Sequence, residues 1–191
     1  AKPFFGGTYF PKPSFLQLMT AVTDVWENRR EDIDTNVDAL MQALQRSEFA
    51  EPANAVADLS TVTSAVTHLV GGFDSEWGGF GAAPKFPSTM NIDLLLRSNA
   101  THPNAAALHV STTSLDAMAS GGIYDHLGGG FARYSVDREW LVPHFEKMLY
   151  DQALLVRVYL HAYQVTQFPR YKQVVEETIK YVLRDLTHQD G

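Results

Sequence analysis

The 191-residue chain contains no cysteine, which limits its chemistry before any motif is considered. Without cysteine there are no disulfides, thiol nucleophiles, iron–sulfur clusters or zinc sites built on thiolates. Long apolar runs are also absent, since none exceeds four residues, far fewer than a membrane-spanning helix needs. We therefore expect neither thiol chemistry nor a membrane partner.

Positive charge is scarce as well. The chain has 15 Lys and Arg against 22 Asp and Glu, a net charge of −7, so the clustered cations that bind nucleic acid are not available. The N-terminal residues lack the apolar stretch of a signal peptide, and we expect a cytoplasmic protein. Apolar residues make up 45% of the chain, enough for one large domain or one domain plus part of another.

Glycine is confined to a few places, and the segments between them show helical periodicity. We predict a mainly α-helical protein of antiparallel helical hairpins. The predicted helical segments begin at the N-cap Ser14, near Asp58, at Ser88, at Pro103–Asn104, near His144 (to Thr166) and at Pro169, with a linker near 48–56. Strand is expected only at Phe4–Phe10 and in a small hairpin that joins Gly130–Ser135 to Glu139–Val142.

Two long glycine-rich loops, 71–87 and 121–143, should lie at the same end of such a helical array. In these loops Trp77 or Phe80 is a candidate platform for a sugar ring, and Trp140 is a further candidate binding residue. Asp74, Glu76 and Lys85 are candidates to hydrogen-bond the hydroxyl groups of the sugar. The alternative is structural: the aromatic side chains close the end of the helical core.

The second loop and the helix predicted after it are rich in polar residues. Their candidate functional side chains are Asp125, His126, Arg133, His144, Glu146, Lys147 and Asp151. Because His144, Lys147 and Asp151 follow at i, i+3 and i+7, they should share one inward face of that helix. Such a polar face is costly to bury unless its groups are paired or functional, and an internal salt-bridge network is the alternative.

Three contacts are expected within this group. Asp125, His126 and Arg133 should approach the start of the predicted helix, with Lys147 facing Asp125 and Arg133 pairing with Glu146 or Asp151. His126 and His144 lack the tight spacing of zinc motifs, so we expect no metal and no cofactor.

Three separate motifs then point to a known family. They are Gly6–Pro11 (GGTYFP), Gly78–Pro87 (GGFGAAPKFP), and Gly121–Phe131 (GGIYDHLGGGF) followed by Pro143–Ala153 (PHFEKMLYDQA). Together they resemble the thioredoxin-domain-containing proteins related to spermatogenesis-associated protein 20. The resemblance spans nearly the whole chain.

The resemblance implies an internal piece of a longer protein. Members of that family join a thioredoxin-like domain to an (α/α)6 barrel similar to N-acylglucosamine 2-epimerases and six-hairpin glycosidases. Residues 1–50 would then be the last strand and helix of the thioredoxin-like domain, and residues 54–191 the first five barrel helices. A truncated barrel of this kind is expected to expose apolar surface, and either to self-associate or to bind partner helices at its open edge.

Two classes of function remain open. The first is an enzyme acting on sugars in the full-length parent, with the piece itself expected to be inactive. An epimerase or isomerase would use His126 or His144 as its base, and a glycosidase would use a pair among Asp125, Glu146 and Asp151. The second is a non-catalytic module that binds a sugar-like ligand or a protein for an attached redox domain. Fold alone does not choose between them.

Overall fold

The computed structural model describes residues 2–48 and 58–190, and the predicted linker near 48–56 lies largely outside them. The chain divides into two compact units, Ala1–Val56 and Ala57–Gly191. The described residues form seven α-helices: α1 Lys12–Asn28, α2 Arg30–Glu48, α3 Leu59–Gly71, α4 Thr89–Thr101, α5 Ala105–Ser120, α6 Leu149–Thr166 and α7 Pro169–Tyr181, which continues as a π-helical turn, Val182–Leu186. None of these helices is long and apolar enough to cross a membrane.

In the first unit, α1 and α2 pack against each other, with Ile33 buried between them and the N-terminal segment. The prediction of one helix here is wrong, because the backbone at Arg29 leaves the helical region and separates α1 from α2. The predicted N-cap Ser14 lies inside α1, which begins at Lys12. The predicted strand Phe4–Phe10 is not formed either, since residues 2–48 supply no second strand to pair with it.

In the second unit, helices pack as hairpins joined by short turns. α4 and α5 form one hairpin and α6 and α7 another, while α4 also packs on α6 and α3 on α4. α3 and α5 begin close to their predicted starts, and each has a side-chain cap: Asp58 accepts from Ser60 N and Thr61 N, and Asn104 accepts from Ala107 N. Ser88 occupies the N-cap position of α4 but makes no capping hydrogen bond.

One buried carboxylate ties α4 to α6 across the hairpins. Asp93 accepts a hydrogen bond from Arg157 at 2.7 Å and one from His161 Nδ1 at 2.7 Å, while Arg97 on its own helix bonds it at 3.0 Å. Burial raises the pKa of Asp93, but the bonds from His161 and Arg157 outweigh it and lower the pKa below its ordinary value. The polar contacts of Asp93 with Arg157 and His161 therefore hold α4 against α6, in addition to the apolar contacts of the core.

The largest apolar core lies between α4, α5, α6, α7 and the second long loop. Its largest members include Phe131, Trp140, Tyr159 and Tyr171, and the Tyr159 hydroxyl donates to the Leu115 carbonyl at 2.7 Å. Two of these aromatic residues, Phe131 and Trp140, belong to the loop. The long loop is therefore part of the packed core and is held in place by it.

The predicted hairpin is present only as backbone pairing. Val136 N donates to the Val142 carbonyl at 2.8 Å, and His144 N donates to the Tyr134 carbonyl at 2.9 Å, but the residues between form isolated bridges instead of strands. Asp137 supplies the reason, because its carboxylate accepts backbone N–H bonds from Glu139, Leu141 and Val142 and so folds the segment into a tight turn.

Candidate functional site

The first long loop is tied to the second by a buried carboxylate, Asp74. Its oxygens accept from Lys85 Nζ at 2.6 Å and from Arg138 Nε and Nη2 at 2.7 Å each. Burial raises the pKa of Asp74, but the hydrogen bonds from Arg138 and Lys85 outweigh it and hold the pKa well below the ordinary value. Asp74 therefore joins the two loops as an ionised group.

Three predicted binding residues belong to this interior junction or the nearby core, and a fourth lies at the loop surface. Lys85 is 0% exposed, and Trp140 is buried with its Nε1 donating to the Trp77 carbonyl at 3.0 Å. Phe80 packs against the core, and Trp77 is partly exposed at the loop surface. The structure places these four residues apart from the cleft described next.

A tight glycine turn shapes the second loop. Asp125 N donates to the Gly130 carbonyl at 2.9 Å, and Gly129 N donates back to the Asp125 carbonyl at 2.9 Å. Gly129 has φ of +77°, and a Cβ there would lie 2.5 Å from the Glu177 carbonyl on α7. Glycine is required at this position because the turn lies directly against the α7 backbone.

This turn presents Asp125 to Lys147. Lys147 Nζ donates to Asp125 Oδ2 at 2.8 Å and to the Gly129 carbonyl at 2.9 Å, and it lies 4.2 Å from the centre of the Tyr181 ring. The Gly128 N–H and Lys147 together lower the pKa of Asp125 to about 2. Asp125 is therefore ionised at neutral pH. It can neutralise the positive charge of Lys147, but it has no proton to donate.

An open cleft of about 800 Å³ lies beside this ion pair. Its wall combines polar groups from the turn and from the end of α7 with apolar side chains, two of which, Leu127 and Phe145, are 101% and 93% exposed. The lining residues are Gly122, Ile123, Tyr124, Asp125, His126, Leu127, Ala132, Pro143, Phe145, Lys147, Tyr181 and Asp185. A mixed apolar and polar wall of this size is typical of a small-molecule site.

His126 lies on the wall of this cleft with a defined orientation. Its Nε2 is 3.1 Å from the Gly121 carbonyl, and its ring rests edge-on against Tyr124 with centroids 5.2 Å apart. Because a carbonyl only accepts, Nε2 carries the proton in the neutral ring, and Nδ1 keeps the free lone pair. His126 can therefore accept a proton through Nδ1.

A second polar cluster lies next to the cleft. Arg133 Nη1 bonds Glu146 Oε2 at 3.2 Å, and His144 stacks on Tyr134 with its Nδ1 3.9 Å from the same Glu146 oxygen. Burial raises the pKa of Asp151; Arg133 lowers it and Glu146 raises it further, and the net shift is upward. The pKa of Asp151 is therefore shifted toward the protonated form, whereas that of Asp125 is shifted away from it.

The expected approach of the loop to the segment before α6 is confirmed in two of its contacts: Lys147 pairs with Asp125, and Arg133 pairs with Glu146. The predicted shared helix face is wrong, because α6 begins at Leu149 and only Asp151 lies on it. His144 N and the Glu146 carbonyl are hydrogen-bonded to Tyr134 and Arg133, so this backbone runs extended along the loop.

Sequence reasoning missed Gln152, which holds the loop in place. Its fully buried amide accepts from Phe131 N at 2.8 Å and donates to the Phe131 carbonyl at 2.8 Å. It also missed Tyr181 and Tyr124, the latter hydrogen-bonded to Glu177. The sequence did contain a signal for Gln152: it is a polar residue among the apolar positions that form the buried face of α6.

No protein-family model matches the chain. The whole chain is nevertheless homologous to a segment of spermatogenesis-associated protein 20, with 38% identity over 208 residues to the rat and human proteins. An uncharacterised protein of Caenorhabditis elegans is 33% identical over 201 residues, covering 99% of the chain and 27% of that protein. The chain spans about a quarter (26%) of the length of the rat protein.

Two solved structures share the fold. A sugar epimerase from a ruminal bacterium superimposes with a TM-score of 0.58 and 16% identity, covering 69% of the chain and 38% of that structure. Cellobiose 2-epimerase from Spirochaeta thermophila gives a TM-score of 0.55 and 18% identity, covering 65% and 37%. At these identities the likeness shows the fold, which is that of part of an (α/α)6 barrel as predicted.

Proposed function

We propose that this chain is part of a carbohydrate-active (α/α)6-barrel protein of the sugar epimerase or isomerase type. The observation that carries the proposal is the cleft in which His126 offers a free lone pair beside the Asp125–Lys147 ion pair. Epimerisation begins with removal of a proton from a carbon next to a carbonyl, and an imidazole is well suited to this step near neutral pH. Both fold neighbours described above are sugar epimerases, which supports this chemistry.

In this proposal His126 and Lys147 each have one task. His126 Nδ1 takes the proton from the carbon, and the electron pair moves onto the carbonyl oxygen as an enolate. Lys147 uses two of its three donors on Asp125 and Gly129, so one donor remains to stabilise that oxygen. Return of the proton from the His126 imidazolium to the opposite face of the carbon, once the enolate has turned, completes the epimerisation.

In the longer protein of which this chain is proposed to be a part, we expect His126→Ala to lower turnover by about 10²–10⁴-fold, the usual contribution of a general base. Because His126 is exposed and makes only one hydrogen bond, the melting temperature should stay unchanged. The measurement is incorporation of solvent deuterium into a panel of sugars in D2O, followed by NMR. His68→Ala, an exposed histidine on α3, is the matched control and should retain full turnover.

Two other outcomes would favour competing functions. Hydrolysis of a glycoside without deuterium incorporation would favour a glycosidase, and the raised pKa of Asp151 beside Glu146 supports that second candidate. Saturable sugar binding with no turnover would support the non-catalytic binding module. Retained turnover in His126→Ala would reject His126 as the base and move the assignment to His144.

The proposal extends to the rest of the protein. Residues 1–50 would be the end of a thioredoxin-like domain, a proposal supported by the motif Gly6–Pro11 and by homology that extends over the whole of this chain.

We expect the 191-residue chain to self-associate, because it exposes large apolar side chains at the cleft and on the π-helical turn after α7. Leu127 and Phe145 are almost fully exposed, and Leu183 is 65% exposed. Light scattering should give an apparent mass that rises with concentration, and the double variant Leu127→Ser, Phe145→Ser should reduce that rise. A monomeric mass over a wide concentration range would contradict the prediction.

A further inference from the structure

A second hollow adjoins the cleft at His126. It measures about 570 Å³ and lies between the end of α5, the loop, and the start of α7. Tyr124 and His126 line both hollows, and since Tyr124 is buried with the imidazole resting on it, His126 marks the boundary between the two spaces. Each hollow alone is within the roughly 300–1,000 Å³ typical of small-molecule sites.

The second hollow has an aromatic surface at its rim. Phe168 is 49% exposed, and its ring is held edge-on by Tyr171 with centroids 5.4 Å apart. It immediately precedes Pro169, which fixes the backbone at the start of α7. A partly exposed ring on a rigid support offers an apolar face to one side of a ligand.

The polar groups of the second hollow are held in place by the protein. Arg170 donates to the Ala119 carbonyl at 2.9 Å and keeps further guanidinium donors. Glu177 accepts from the Tyr124 hydroxyl and from Gln173 Nε2, the latter at 2.8 Å. One cation and one anion leave the hollow without net charge, while fixed donors and acceptors match the hydroxyl groups of a neutral ligand.

We propose that the two hollows form one elongated site for a neutral ligand of at least two sugar units. The reacting unit would lie beside His126 in the first hollow, and the next unit would rest on Phe168 and bond Arg170, Gln173 and Glu177 in the second. This proposal rests on the proposed function, since it names the substrate class of the same site.

NMR titration of the chain tests this directly. The probes are glucose, mannose and N-acetylglucosamine, each compared with its own β-1,4-linked disaccharide. A matching disaccharide should bind at least about tenfold more tightly than its monosaccharide, which corresponds to about 1.4 kcal/mol. Both should shift the His126 resonances, and only the disaccharide should shift those of Phe168 and Gln173.

Variants of the second hollow complete the test. Gln173→Ala and Phe168→Ala should lower the ratio of disaccharide to monosaccharide affinity, whereas Gln164→Ala, an exposed glutamine on α6, should leave that ratio unchanged. Equal affinity for both sugars, or an unchanged ratio in Gln173→Ala, would overturn the elongated site while the proposed function stands. Failure of every sugar to shift His126 would overturn both.

Discussion

Asp74→Asn is expected to lower the free energy of unfolding by about 3–5 kcal/mol, the cost of leaving a buried charge without its partner. The substitution removes the carboxylate that binds the fully buried Lys85 at 2.6 Å and Arg138 at 2.7 Å. Lys85 has no route to solvent, so its ammonium group would remain buried beside a neutral amide. Chemical denaturation followed by circular dichroism measures the change.

Glu76→Gln is the matched control for that variant. Glu76 bonds the same Arg138 at 3.1 Å, but its side chain is 63% exposed, so its loss should cost less than about 1 kcal/mol. If Asp74→Asn were as mild as Glu76→Gln, the buried junction would not stabilise the two loops as described.

The same carboxylate predicts how stability changes in acid. The folded-state pKa of Asp74 lies below the value of about 3.9 for an unfolded aspartate, so its contribution to stability is complete above that value. It is lost as the pH falls below about 4 toward the folded pKa. The free energy of unfolding of Asp74→Asn should therefore depend less on pH in that range than that of the unchanged chain.

Gln152→Leu should destabilise the chain by about 2–5 kcal/mol, because each buried polar group left without a partner costs about 1–3 kcal/mol. Leucine fills a similar volume but neither accepts from Phe131 N nor donates to the Phe131 carbonyl. Amide hydrogen exchange at Phe131 should accelerate, and this readout separates loss of these bonds from general loosening.

Gln164→Leu on the same helix is the control for Gln152→Leu. Gln164 is exposed, so its replacement should change stability by no more than about 0.5 kcal/mol. An unchanged exchange rate at Phe131 in Gln152→Leu would contradict the role of this amide in holding the loop.

The helices could be predicted from the sequence because their formation depends on residues that are close together along the chain. Helices α3, α4, α5 and α7 begin within a residue or two of their predicted starts, since caps, prolines and the 3–4 apolar spacing act over a single turn. The pairing of Lys147 with Asp125 was also predictable, because loop length brings the chain back to the same place.

Tertiary structure alone decided which polar residues are structural and which face the cleft. Lys85 and His126 lie in similar glycine-rich loops, yet Lys85 is sealed against Asp74 and His126 is open to the cleft. The start of α6 was likewise decided by long-range pairing, since the backbone of His144 is hydrogen-bonded to Tyr134 instead of entering a helix. Local sequence determines periodicity and caps, whereas burial and backbone pairing depend on which distant segments the packed core brings together.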